Sequence, residues 1–150
     1  MISAHTSIVK FMRDFDIADE DLQFEPSLKD CYSAYRKLNT DIFKGKLPKI
    51  KLRIGRLHGS WGTCTSDIKK NICEIQLNNR FKNKQFFVTV LAHEMVHAYQ
   101  HFYESDINHG YSFHKWRPTF AKFCIPLSDG YKKSSLNWHA QRNFTQITRS

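Results

Sequence analysis

Four of the chain's eight histidines fall within residues 89–110, TVLAHEMVHAYQHFYESDINHG, and they include the pattern His-Glu-x-x-His at His93, Glu94 and His97. No other feature limits the fold so sharply. Residues four apart on a helix stand one turn above the other on the same face. Two imidazoles so placed can reach one tetrahedral cation with Zn–N bonds of about 2.0–2.1 Å. Glu94, one position round from His93, then faces a metal-held water instead of the metal. Zinc lowers the pKa of such a water toward ~7, and a carboxylate there can take its proton during attack on a carbonyl. The apolar flanks FFVTVLA and AYQHFY suit a buried helix, read here from Lys84 through Tyr103.

The third ligand decides the class of site. His101 is tempting, but position i+8 on a continuous helix lies about 12 Å along the axis from position i. His101 is therefore read as a surface residue or a support behind the ligands. The metzincin pattern is excluded, because Gln100 and Tyr103 stand where it needs Gly and His. His109 is better placed: the helix ends near Tyr103, the loop ESDIN can turn the chain back, and Gly110 permits close approach. His114 is its rival.

The rest of the chain supplies a frame for that helix. Pro26 and Ser27 mark a helix start, after which Leu28, Cys31, Tyr32, Tyr35, Leu38 and Ile42 form one apolar stripe. Gly45 and Pro48 stop it. In KIKLRIGRL, Ile50, Leu52 and Ile54 alternate with charged residues, as in a half-buried strand. SWGTCT, the polar turn SDIKKN and ICEIQLN read as a hairpin. YSFHKWRPTFAKFC reads as a third helix, interrupted at Pro118. The last two dozen residues have no clear period. The expected class is α+β, a small antiparallel sheet packed on helices. Residues 1–26 read as an acidic N-terminal extension, 27–124 as the domain and 125–150 as a C-terminal extension.

Charge and cysteines narrow the setting. The net charge is +9, yet residues 1–30 carry three basic and seven acidic side chains, net −4, and the remainder is net +13. A body so basic points to a polyanion, most often nucleic acid, although lysines also serve solubility. Cys31, Cys64, Cys73 and Cys124 form no C-x-x-C pair, so neither a zinc ribbon nor a thioredoxin-type site is encoded. Free thiols are expected, with Cys64 and Cys73 able to meet across the hairpin. No secretion signal and no membrane-spanning run is seen, and the expected setting is cytoplasmic.

The chain resembles the SprT-like (Spartan-type) metalloprotease domains. LNTDIFKGKLP is similar to that family's first helix and its stop, GSWGTCT to its small-residue strand, and ICEIQLNNRF to its I-x-L-N strand. LAHEMVHAYQH resembles its catalytic helix and NHGYSFHKW its His-Gly-x-x-Phe segment. The likeness covers roughly residues 32–124. It implies a compact zincin-like fold, zinc on His93, His97 and His109, Glu94 as general base and Phe113 packed behind the third ligand. It also implies a peptidase acting on proteins crosslinked to DNA, with DNA met by basic surfaces. The chain departs from many members in having no paired-cysteine zinc ribbon after the domain, which fits a minimal bacterial or phage version.

The expected function is therefore zinc-dependent hydrolysis of peptide bonds, with DNA-associated protein as substrate. Two other classes remain: a non-catalytic binding or regulatory protein on the same scaffold, and a DNA-binding protein whose zinc is structural. Trp61 is read as core or as a stacking residue. Lys49, Lys51, Arg53 and Arg56 are read as a phosphate-tracking or merely solvated face, with RFKNK and Lys132-Lys133 treated alike. Tyr99, Tyr111 and His114 are candidate oxyanion donors. Glu104, Asp106 and Asp129 are candidates to orient a ligand histidine. The acidic N-terminus is a candidate plug over a basic cleft.

Overall fold

A computed structural model describes residues 7–13 and 23–128. Asp129, Lys132-Lys133 and most of both extensions, including residues 14–22 with five of the acidic side chains of the candidate plug, lie outside the described residues. Helix α1 (Ser7–Arg13) is followed by α2 (Leu28–Asp41), β1 (Lys51–Ile54), β2 (Gly62–Asp67), β3 (Ile72–Leu77), α3 (Lys84–Tyr103), α4 (Tyr111–His114) and α5 (Arg117–Lys122).

Helix α2 starts where its chemistry dictates. Ser27 accepts from the Asp30 backbone N–H while the Asp30 carboxylate accepts from the Ser27 N–H, a reciprocal capping box. Its Cys31, Tyr35 and Leu38 are buried, as the stripe predicts, and Ala34 is buried beside them. Leu28 departs from it, 48 % exposed in the first turn. The Tyr35 hydroxyl donates to the Pro48 carbonyl and the Tyr32 hydroxyl accepts from the Leu52 N–H, which ties the helix to the first strand.

The sheet order is β1-β3-β2. Strands β2 and β3 form the expected antiparallel hairpin, with Cys64 opposite Ile75 and Ser66 opposite Cys73. Strand β1, however, runs parallel to β3, with Lys51 opposite Glu74 and Ile54 opposite Leu77. The sheet is thus mixed within the α+β class. The segment from Gly55 to Trp61 crosses to the far edge and leaves a central place that β3 fills, so β3 must run with β1.

Helix α3 packs on β2 and β3, α2 lies against β1 and α3, and α1 rests on α2 and α3. Ile8 of α1 is buried and its N–H donates to Asp41 Oδ2 at 2.9 Å, so this short helix joins the core. Helix α3 is buried on nearly every side, from Phe86 through Ala98 without a gap. A helix in that position must satisfy each polar side chain it carries. Thr89 does so locally, donating to the Gln85 carbonyl at 2.9 Å. The expected third helix is two short ones. The break falls at Lys115 and Trp116, and Pro118 sits in the first turn of α5, where its missing N–H costs nothing.

Candidate metal centre

Asn83 starts α3 by accepting from the Phe86 N–H at 2.8 Å, and the helix runs unbroken through the histidines. It ends where the Gln100 carbonyl accepts from the N–H groups of both Glu104 and Ser105, with Ser105 at φ 57°. That left-handed residue turns the chain back. Asn108 then accepts from the Gly110 N–H at 2.8 Å, a tight turn that delivers His109 beside His97.

His93, His97 and His109 each present a ring nitrogen, and the three lie within 4.8 Å of one another. The Nε2 atoms of His97 and His109 are 3.1 Å apart. The edge of a tetrahedron with bonds of about 2.0–2.1 Å is about 3.3–3.4 Å, so these two already stand near ligand spacing. Imidazoles suit zinc. Burial, together with the neighbouring rings of His97 and His109, holds His93 well below the usual imidazole range, and burial takes His97 down to about 4. Both are neutral at pH 7, with a lone pair to offer. The backbone at Ser128 works against the lowering of His93 without reversing it. Among the described residues the group contains three ligand side chains, the number that catalytic zinc sites supply.

Phe113 is the plate behind the ligands. Its buried ring lies 4.9 Å from that of His93, 5.1 Å from His97 and 4.8 Å from His109. It therefore backs all three ligands. Glu94 is buried, with Oε2 4.0 Å from His93 Nε2, and burial raises its carboxyl to about 8.

The other expectations divide. His101 does not join the histidine group, but it is 4 % exposed, not a surface residue. Its Nε2 lies 3.2 Å from Asn71 Oδ1 and its Nδ1 hydrogen-bonds with the Ser66 hydroxyl, so it ties the hairpin to α3. Tyr99 points away from the centre, into an aromatic group with Phe43, Tyr103 and Trp116. Tyr111 is 83 % exposed, and His114 is half-buried and electrostatically felt by His93. Glu104 pairs with Lys115, and Asp106 accepts from Asn108 Nδ2 at 2.9 Å, so both shape the loop beyond α3. Trp61 is buried against Phe81 and Phe86. Cys64 and Cys73 meet with sulfurs 3.9 Å apart, and all four cysteines are free.

Two residues were missed. Gln100 contacts His97 and the loop that carries His109, and its signal was a polar residue three positions after a ligand in an otherwise apolar helix. Gly62 of β2 lies against Glu94 and Val90, foreshadowed only by the small residues of SWGTCT.

The fold and this site define a zinc metalloprotease-like α+β domain. The sequence model of the SprT-like family matches residues 31–128, and the chain belongs to that family. No curated protein matches the chain. Among the described residues no helix is long and apolar enough to cross a membrane.

Proposed function

We propose that the protein is a zinc-dependent metallopeptidase, with His93, His97 and His109 as ligands and Glu94 as general base. The observation that carries this reading is the convergence of three imidazoles beside one buried carboxyl. Zinc, when bound, supplies a Lewis acid that polarises a peptide carbonyl and activates water. Glu94 takes the proton of the attacking water and passes it to the leaving amine. Burial raises its carboxyl to about 8 in the metal-free protein, and a dication held by the three histidines would favour the carboxylate form that takes a proton. Phe113 excludes water from the back of the ligands and holds their rings. Among the described residues β2 is an edge strand beside Glu94, and its outer backbone groups could pair with an extended substrate.

The substrate proposed is protein associated with or crosslinked to DNA. Support comes from the net +13 of residues 31–150 and from the exposed Lys49, Lys51, Arg53 and Arg56 along β1 and the turn after it. The test is cleavage of a DNA-bound protein by wild type and Glu94→Gln, with and without DNA, alongside zinc content. Wild-type cleavage, lost in the variant with zinc retained, is the expected result. A wild type that holds zinc and cuts nothing would turn the reading toward recognition or structure.

A further inference from the structure

Gln100 is 0 % exposed, and its side-chain amide has a partner in every direction. Its Nε2 lies 3.0 Å from the Asn108 carbonyl oxygen and 2.9 Å from Ser112 Oγ. Its Oε1 lies 2.8 Å from His97 Nδ1 and 3.3 Å from the Asn108 backbone nitrogen. The backbone groups of Asn108 fix which end of the amide is which. A carbonyl oxygen only accepts, so the atom facing it is the amide NH₂; a backbone N–H only donates, so the atom facing that is the amide oxygen. An amide oxygen also only accepts. His97 Nδ1 must therefore carry the proton, which leaves the lone pair on Nε2, the atom turned toward His109.

We propose that Gln100 is a positioning residue that sets the tautomer of His97 and the place of His109 together, so that two ligands are prepared by one side chain. The proposal rests on the metal-centre reading above. The amide grips Asn108, the residue immediately before the third ligand, through both backbone groups, and grips Ser112 on the far side of it. Loss of the amide therefore frees the His97 ring to exchange tautomers and frees the turn that carries His109. A residue that only filled space would do neither.

The test uses the full chain. Ring ¹H–¹⁵N correlations of the metal-free protein at pH 7.5 report which nitrogen of His97 is protonated, and chelator competition reports zinc affinity. Wild type is expected to show His97 protonated at Nδ1. Gln100→Met, similar in size but without polar atoms, is expected to show a mixture of tautomers and to bind zinc about 10–100-fold more weakly. Gln100→Glu keeps an oxygen for His97 and is expected to retain the Nδ1–H form. Protonation of wild-type His97 at Nε2 overturns the proposal without any variant, should Gln100→Met fail to fold. Tight zinc binding by wild type, matched within about twofold by a folded Gln100→Met, overturns the positioning role alone. A wild type with the expected tautomer but no zinc binding overturns the metal-centre reading and leaves the hydrogen-bond assignment standing.

Discussion

Gly62 of β2 lies flush against Glu94 of α3. A Cβ built on the glycine would stand 3.3 Å from Glu94 Cγ and 2.8 Å from Val90 Cγ1. The second distance is one that real side chains do not occupy, and Val90 is fully buried in the core. The bare backbone of Gly62 is thus what lets the edge strand approach the proposed base.

Gly62→Ala should therefore overpack the interface and cost about 1–3 kcal/mol of stability, with peptidase activity falling further as Glu94 is displaced. Val90→Ala removes the clashing methyl. The double variant should be less destabilised than the sum of the two single changes, as measured by urea unfolding. Additive losses would show that the contact does not limit the approach.

The stability of the metal-free protein should depend on pH in two opposing ways. Glu94 rises from an ordinary 4.5 to about 8 in the fold, so between those values the native state holds a proton that the unfolded chain has lost. That contribution is full below 4.5 and fades as pH climbs to 8, by on the order of a few kcal/mol. His97 falls from 6.5 to about 4, so its effect runs the other way and adds stability as pH rises through that window. Glu94→Gln cannot titrate. Subtracting its unfolding free energy from that of the wild type should leave a difference that declines between pH 4.5 and 8, and a flat difference would refute the assignment.

Loss of a ligand should separate metal binding from folding according to burial. His93 is buried and touches Phe113, whereas His109 is half-buried on a loop. Both His93→Ala and His109→Ala should lose stoichiometric zinc. Without metal, His109→Ala should melt close to wild type, while His93→Ala should melt several degrees lower because it leaves a cavity. Excess zinc should raise the wild-type melting temperature, by an amount set by about 2.7 kcal/mol at a hundredfold excess over Kd, and leave both variants unmoved.

His101 should matter for the fold and not for the metal. With Asn71 Oδ1 accepting from Nε2–H, Nδ1 accepts from the Ser66 hydroxyl. His101→Ala and Ser66→Ala should each cost about 1–3 kcal/mol, with a coupling of about 0.5 kcal/mol or more between them. Zinc content should stay at the wild-type level. A His101→Ala protein that lost zinc would place this histidine nearer the metal than its geometry does.

What could be read in advance follows from how local each signal was. Helix α2 announced itself through Pro26, Ser27 and the spacing of Cys31, Tyr35 and Leu38. The hairpin was visible in its polar turn, and the loop after Tyr103 with Gly110 pointed to His109. The axial rise of a helix was enough to keep His101 away from His93. Nothing local could say that His101 would be buried, since its partners Ser66 and Asn71 come from another element. The parallel pairing of β1 with β3 was equally hidden, because it depends on where the segment 55–61 crosses. Gln100 looked inert until the turn at Asn108 folded back on it.

That turn makes chain length a functional quantity. Eight positions separate Gln100 from Asn108, and the amide reaches across that interval to both backbone groups of one residue. The segment works as a spacer cut to measure. A single residue inserted after Ser105 would leave every ligand, the base and the aromatic plate chemically intact, yet it would offer the amide the wrong peptide unit and carry His109 out of reach. Exchanges of side chain at Phe102 or Ile107 leave that measure unchanged. An insertion variant that still bound zinc as tightly as wild type would show that the interval can stretch.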